Sequence, residues 1–176
     1  MSMLTCPFPV NLNPLSPNGF QFSINKLPEM TYFSQEVALP GIALPTVDIN
    51  TPFSTMKIAG DLMTYQPLEI SFLVDEKMSN YLAIHDWIVA MGFPVNYQQY
   101  ISWQNKDNTT LISELSKNYS DGVLQILGSN NTPIQTINFI DLIPTGLSSL
   151  QLTTTSEDVI YITCTCTFEY SHYTFV

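Results

Sequence analysis

The sequence predicts a mainly β domain of about seven strands with one amphipathic helix. Three observations predict it. Apolar and polar residues alternate with period two in several separate segments, as in strands covered on one face. One segment alone, roughly 77–91, carries apolar residues at helical spacing. These segments do not follow one another as strand, helix, strand, which argues against a doubly wound parallel fold.

The elements follow in order. Residues 1–18 hold four prolines and three asparagines and read as an extended arm, with residues 19–176 forming the β domain. In Gly19 to Lys26, Phe20, Phe22 and Ile24 share one face and Gln21, Ser23 and Asn25 the other. Residues 30–38 read as a second strand. Pro40, Pro45 and Pro52 then mark an edge, a bulge or an irregular extended piece, because proline cannot donate to a ladder. Ala59-Gly60-Asp61 reads as a turn or loop tip between two extended limbs. Leu68 to Val74 alternates again and reads as a strand.

Asp75 or Ser79 is placed to cap the helix, whose apolar stripe is Tyr81, Ile84, Ile88 and Met91, widened by Leu82 and Trp87. Gly92 and Pro94 end it. Tyr97, Tyr100 and Trp103 recur every third residue in a stretch, 93–120, that reads as loop or short helix. Residues 122–127 and 134–140 form a hairpin about a Gly128–Pro133 turn, and 150–155 is a weaker strand. Last, Ile160, Ile162, Cys164, Cys166, Phe168 and Tyr170 face one way, while Tyr161, three threonines, Glu169 and Ser171 face the other. That pattern suits an antiparallel strand covered on one side.

Composition excludes several functions. The chain has 176 residues, of which 11% are charged, with a net charge of −10. The usual charged share is about 25%. All five basic residues are lysines: Lys26, Lys57, Lys77, Lys106 and Lys117. So few cations argue against a protein that binds nucleic acid or an anionic membrane by charge. No run approaches about 18 consecutive apolar residues, so no transmembrane helix is expected. The first residues lack the basic and apolar regions of a secretory signal. So little charge fits either a Thr- and Ser-rich polar face or a surface covered by sister subunits.

No phosphate-binding loop, dinucleotide fingerprint, zinc-protease motif or nucleophile elbow is present. Cys164 and Cys166 lie on one face of one strand, where a disulfide is poorly placed, and read as small buried hydrophobes. His85 and Asp86 are helix neighbours that point apart. No catalytic residue, metal or cofactor is expected. Tyr97, Tyr100 and Trp103 leave open a ligand-binding β module, if they form a stacking platform.

One resemblance gathers these elements. The strand GFQFSINK is followed by one ending in Leu39-Pro40-Gly41, and a proline-marked segment runs into Lys57-Ile58-Ala59-Gly60-Asp61. The strand Leu68–Val74, Asp75-Glu76, a helix with Ile84 and Trp87-Ile88, and an alternating aromatic C-terminal strand complete the order. This resembles the tail tube protein family of contractile-tailed bacteriophages. The resemblance implies an antiparallel β-sandwich or half-barrel with a flanking α-helix. It implies a homohexameric ring around a channel, stacked through a long hairpin at roughly 46–66 that includes Lys57, Ile58, Ala59, Gly60 and Asp61. Ring proteins that terminate or initiate such tubes share the fold.

The implied partners are copies of the chain and other tail proteins such as sheath, terminator or baseplate. The implied place is a virion tail assembled in the host cytoplasm. DNA would pass through without specific binding, and a lumen rich in carboxylate would repel its phosphates. Glu36, Asp48 and Glu69 are the candidate lumen acids.

Overall fold

The computed structural model describes residues 14–28, 30–92, 94–104, 118–154 and 161–176. The chain runs β1 (Phe20–Ile24), α1 (Met30–Phe33), β2 (Ser34–Ala38), β3 (Ile42–Ala43), β4 (Thr46–Asn50), β5 (Thr55–Ala59), β6 (Thr64–Tyr65) and β7 (Leu68–Leu73). Two helices follow, α2 (Ser79–Gly92) and α3 (Gln98–Gln104). The remaining strands are β8 (Ser120–Leu127), β9 (Pro133–Leu147), β10 (Thr163–Glu169) and β11 (His172–Phe175).

Seven strands form one antiparallel sheet in the order β1-β8-β9-β10-β7-β2, with β11 also on β9. β9 organises it. β8 flanks only its first part, ending with Ser120 opposite Leu142. Its other edge pairs first with β11, from Ile137 to Ile140, and then with β10, from Ile143 to Leu147. The sheet therefore passes from one layer, β1-β8-β9-β11, into a second, β9-β10-β7-β2. The change comes where Asp141 takes a left-handed backbone, φ 60°. Asp141 is held there by a bond from its N–H to the Asp121 carboxylate and one from the Ser171 hydroxyl to its own. The end strands β1 and β2 lie close together, so the sheet curls into a half-barrel.

Alternation then fills one core. Phe22, Ile24, Leu68, Ile70, Phe72, Leu124, Ile137, Phe139, Leu142, Cys164, Cys166 and Phe168 all point inward and are buried. Each large side chain fully buried is worth about 1.5–3 kcal/mol over leaving it in water. Helix α2 closes the core with Ile84 and Trp87.

Several expectations are corrected. The strand expected over 30–38 begins as the one-turn helix α1. The Met30 N–H donates to the Leu27 carbonyl at 3.1 Å and the Ser34 hydroxyl to the Met30 carbonyl at 2.7 Å, a turn that buries Met30. Residues 150–154 of the weaker strand are irregular, and Thr155 lies outside the described residues. α1 joins the single expected helix, α3 takes the short-helix alternative read for 93–120, and four short strands, β3–β6, lie outside the main sheet. Leu82, placed on the apolar stripe, is 48% exposed, while Asn80 and Ala90 are buried beside Ile84 and Trp87.

The start of α2 also differs. Asn80 joins strand to helix: its amide donates to the Leu73 carbonyl at 2.7 Å, and its oxygen accepts from the Asp75 and Tyr81 N–H groups. Asp75 instead accepts from the Ser79 hydroxyl at 3.0 Å.

Candidate functional site

Two surfaces stand out, an arm and a polar sheet face. The arm is the chain between Gly41 and Gln66. Ile42 pairs with Tyr65 and Ala43 with Thr64; further out, five pairs run from Thr46–Ala59 to Asn50–Thr55. A tip at 51–54 closes it, where the Ser54 N–H donates to the Thr51 hydroxyl oxygen at 3.1 Å and the Thr51 N–H to the Ser54 carbonyl at 3.0 Å. The loop tip is thus at Thr51–Ser54 and not at Ala59-Gly60-Asp61. Lys57, Ile58 and Ala59 are strand residues, and Gly60 and Asp61 follow them toward the body.

All ten residues of β4 and β5 are exposed. Their register makes the arm amphipathic. Directly opposed residues share a face, so the pairs Val47–Ile58 and Ile49–Met56 make one side apolar. The other side carries Asp48, whose carboxylate is 3.5 Å from the Lys57 ammonium, and Asn50, which accepts from the Thr55 hydroxyl at 3.3 Å. At the tip Phe53 is 99% exposed. A lone two-stranded hairpin is marginal in water, and this one leaves its whole apolar side uncovered.

Gly60 is needed where the arm narrows. Its N–H donates to the Pro45 carbonyl at 2.8 Å, and a Cβ there would lie 2.8 Å from that same oxygen. Backbone cannot give way as a side chain end can. Gly60→Val is therefore expected to open the arm at this point and to lower assembly several-fold. The body should keep its denaturation midpoint, because the arm lies outside the core; circular dichroism and sedimentation check both.

The second surface is the outward side of β2-β7-β10-β9. Pairing sets its rows. Glu36 lies opposite Ser71 and Ser71 opposite Thr165; Ala38 lies opposite Glu69, Glu69 opposite Thr167, and Thr167 opposite Gly146. The Ser71 and Thr165 hydroxyls are 3.0 Å apart. Glu169 lies on the same outward side and is exposed. Among the described residues no lysine lies on this face: Lys26 sits over Trp87 and Trp103, Lys57 is on the arm, and Lys77 is in the turn before α2. Glu36 and Glu69 thus share one face, whereas Asp48 lies on the arm.

The remaining candidates pack as structure. Trp103 stacks on Trp87 at 5.9 Å and 18°, so the three aromatics of 97–103 do not form one platform. Tyr97 and Tyr100 contact each other at 5.5 Å and border a cavity of about 390 Å³ with Met91 and Tyr119. Cys164 and Cys166 are free thiols in the core, and burial, with Cys164 beside it, pushes the Cys166 thiol well up. His85 Nδ1 comes within 3.6 Å of the Asp86 carboxylate, closer than helix neighbours were expected to be. Both side chains are half exposed, so the pair contributes little. Among the described residues no group of three His, Cys, Asp or Glu side chains could hold a metal ion.

Residues 3–176 match the family described as phage tail tube protein. The chain belongs to that family. The tail tube terminator protein of Enterobacteria phage T4 is 26% identical over 153 residues, 85% of this chain and 80% of that protein. A chain of the anti-feeding prophage baseplate, solved with sixfold symmetry, superposes with a TM-score of 0.59 at 12% identity, over 93% of this chain and 96% of its own. A chain of the anti-feeding prophage tube terminating cap gives a TM-score of 0.56 at 15% identity, over 100% of this chain and 99% of its own. These two likenesses show the tube fold.

As a member of the phage tail tube protein family the chain is a structural subunit of the tube kind. The apolar side of the arm was missed in the sequence. Its signal is short: Val47 and Ile49 alternate with Asp48, and Met56 and Ile58 with Lys57. The three nearby prolines mask it.

Proposed function

We propose that this tail tube protein assembles with copies of itself into a homohexameric ring whose channel conducts DNA without binding it. The uncovered apolar side of the arm carries this reading. A hydrophobic strip at the end of a projecting hairpin calls for a second surface, and a sister subunit in the same or the next ring supplies one. The sixfold symmetry of the similar baseplate chain supports the copy number. The channel is lined by the outward face of β2-β7-β10-β9, with Glu36 and Glu69 among the lumen acids. Ring closure pairs the edges of this sheet between subunits and so leaves none exposed. Asp48 belongs to the arm contact, where it holds Lys57.

The phage T4 relative and the terminating cap favour a single ring at a tube end, meeting tube and sheath proteins in a virion tail assembled in the host cytoplasm. A stacked, polymeric tube is the second reading, favoured by the length of the arm. Negative-stain microscopy with native mass measurement tests both. Discrete sixfold rings support the terminator and long tubes the polymer. A monomer at micromolar concentration would sink both.

The lumen assignment has its own test. Glu36→Lys with Glu69→Lys leaves the fold intact, because both side chains are exposed. The assembled variant is expected to retain duplex DNA at low salt and release it as salt rises, since ammonium groups displace condensed counterions. The unaltered protein should retain none. Equal retention by both would remove these residues from the channel.

A further inference from the structure

The root of the arm is held by two tyrosines from the junction of β10 and β11. The Tyr170 hydroxyl donates to the Gln66 carbonyl at 2.9 Å, and the Tyr173 hydroxyl donates to the Pro40 carbonyl at 3.4 Å. Pro40 and Gln66 stand where the two limbs of the arm leave the body, and the Gln66 N–H donates to the Gly41 carbonyl at 3.0 Å. One limb of the arm is thus tied by each tyrosine.

Rings reinforce the ties. Tyr65, in β6, packs edge-on against Tyr170 at 5.8 Å and Tyr173 at 5.5 Å. Both of those rings pack on Phe139, at 5.3 and 5.6 Å, and Phe139 is fully buried in the core. Contact is therefore continuous from the core to the arm. Burial, then the neighbouring phenols of Tyr173 and Tyr65 and the Glu169 carboxylate, push the Tyr170 hydroxyl up to about 12. It stays protonated, and a donor, at any physiological pH.

The leverage is large. One limb, residues 41–50, reaches at most about 30 Å when extended, so a swing of about 10° at the root moves the tip by up to about 5 Å. A contact surface that must first be oriented binds more weakly than one held in place. We propose that Tyr170 and Tyr173 are positioning residues for assembly. They fix the direction of the arm against the sheet, so that its apolar side is pre-set to meet a second copy of this chain. This rests on the arm being a subunit contact.

Tyr170→Phe with Tyr173→Phe tests the proposal, because it removes two hydroxyls and leaves the rings. Spin labels go on Phe53→Cys at the tip and Asn130→Cys in the β8–β9 turn, with Cys6→Ser and an excess of unlabelled chain. The double Phe variant is expected to show a tip distance distribution at least twice as broad, and to need about tenfold more protein to assemble. Tyr173→Phe alone, which loses the longer bond, should do less. An unchanged distribution, or a broadened one with unchanged assembly, overturns the proposal. The variant Ile49→Asp with Ile58→Asp separates the two ideas. If it still assembles, the arm is not the contact and that reading falls. If it fails to assemble while the double Phe variant matches the unaltered protein, only the positioning role falls.

Discussion

Ile49→Asp combined with Ile58→Asp is expected to yield a folded subunit that no longer assembles. Both positions lie on the apolar side of the arm, diagonal to one another across the β4–β5 pairing, so no new carboxylate faces another directly. Ile49 is 46% and Ile58 49% exposed in the single chain, so neither supports the core. Exposed substitutions of this kind usually change stability by about 0.5 kcal/mol or less. In an assembled contact the same side chains would be buried. About half of each side chain is left to cover, so losing the two burials costs about 1.5–3 kcal/mol per contact before any charge is desolvated. That corresponds to at least about tenfold in the concentration needed to assemble, and the desolvation of two carboxylates adds to it. Sedimentation velocity reads the assembly and a denaturant titration reads the fold. Rings forming at the unaltered concentration would show that the contact lies elsewhere.

The strands that were legible share one property: they are paired and half-buried. In β1, β7 and β10 every second residue meets the core, so the alternation of Phe22 and Ile24, of Leu68, Ile70 and Phe72, and of Cys164, Cys166 and Phe168 is written directly into the sequence. β9 was legible only to Ile140. Beyond it the left-handed Asp141 and the bulge opposite Thr167 and Phe168 break the period just where the strand changes layers. The arm was harder for a different reason. Its two faces are set by pairing with each other and not by a core, so an apolar strip of four residues gives no burial signal. The register alone shows that Val47, Ile49, Met56 and Ile58 meet.

The outward acids were half legible for the same reason. Glu69 alternates with Leu68 and Ile70, so its outward direction follows from the strand. Glu36 follows only once the irregularity between Ser34 and Glu36 is seen, because that bulge sets Glu36 opposite Ser71. Asp48 belongs to a strand that never joins the main sheet. The tyrosine ties were not legible at all. Tyr170 lies 104 residues from Gln66 and Tyr173 lies 133 from Pro40, and neither bond has a sequence pattern.

Trp87→Ala is expected to cost about 3–5 kcal/mol, out of the roughly 5–15 kcal/mol that holds such a domain. The ring is 1% exposed and packs against Phe168 at 6.4 Å on the core side and Trp103 at 5.9 Å on the other. Its indole N–H donates to the Asn118 carbonyl at 3.1 Å, so truncation also strands a polar group. The Lys26 ammonium lies 5.3 Å from the Trp87 ring and 4.4 Å from Trp103, which ties the turn after β1 to both helices. One side chain thus joins the turn after β1, β10, α2 and α3. Trp87→Phe should cost less, because it keeps most of the burial and loses the N–H. Denaturant midpoints followed by far-ultraviolet circular dichroism rank the two variants. The stacked indoles should also give an exciton couplet that disappears in Trp87→Phe and in Trp103→Phe alike. A Trp87→Ala loss below about 1 kcal/mol would mean that the helices are held by something other than this stack. A couplet that survives Trp103→Phe would place Trp103 away from Trp87.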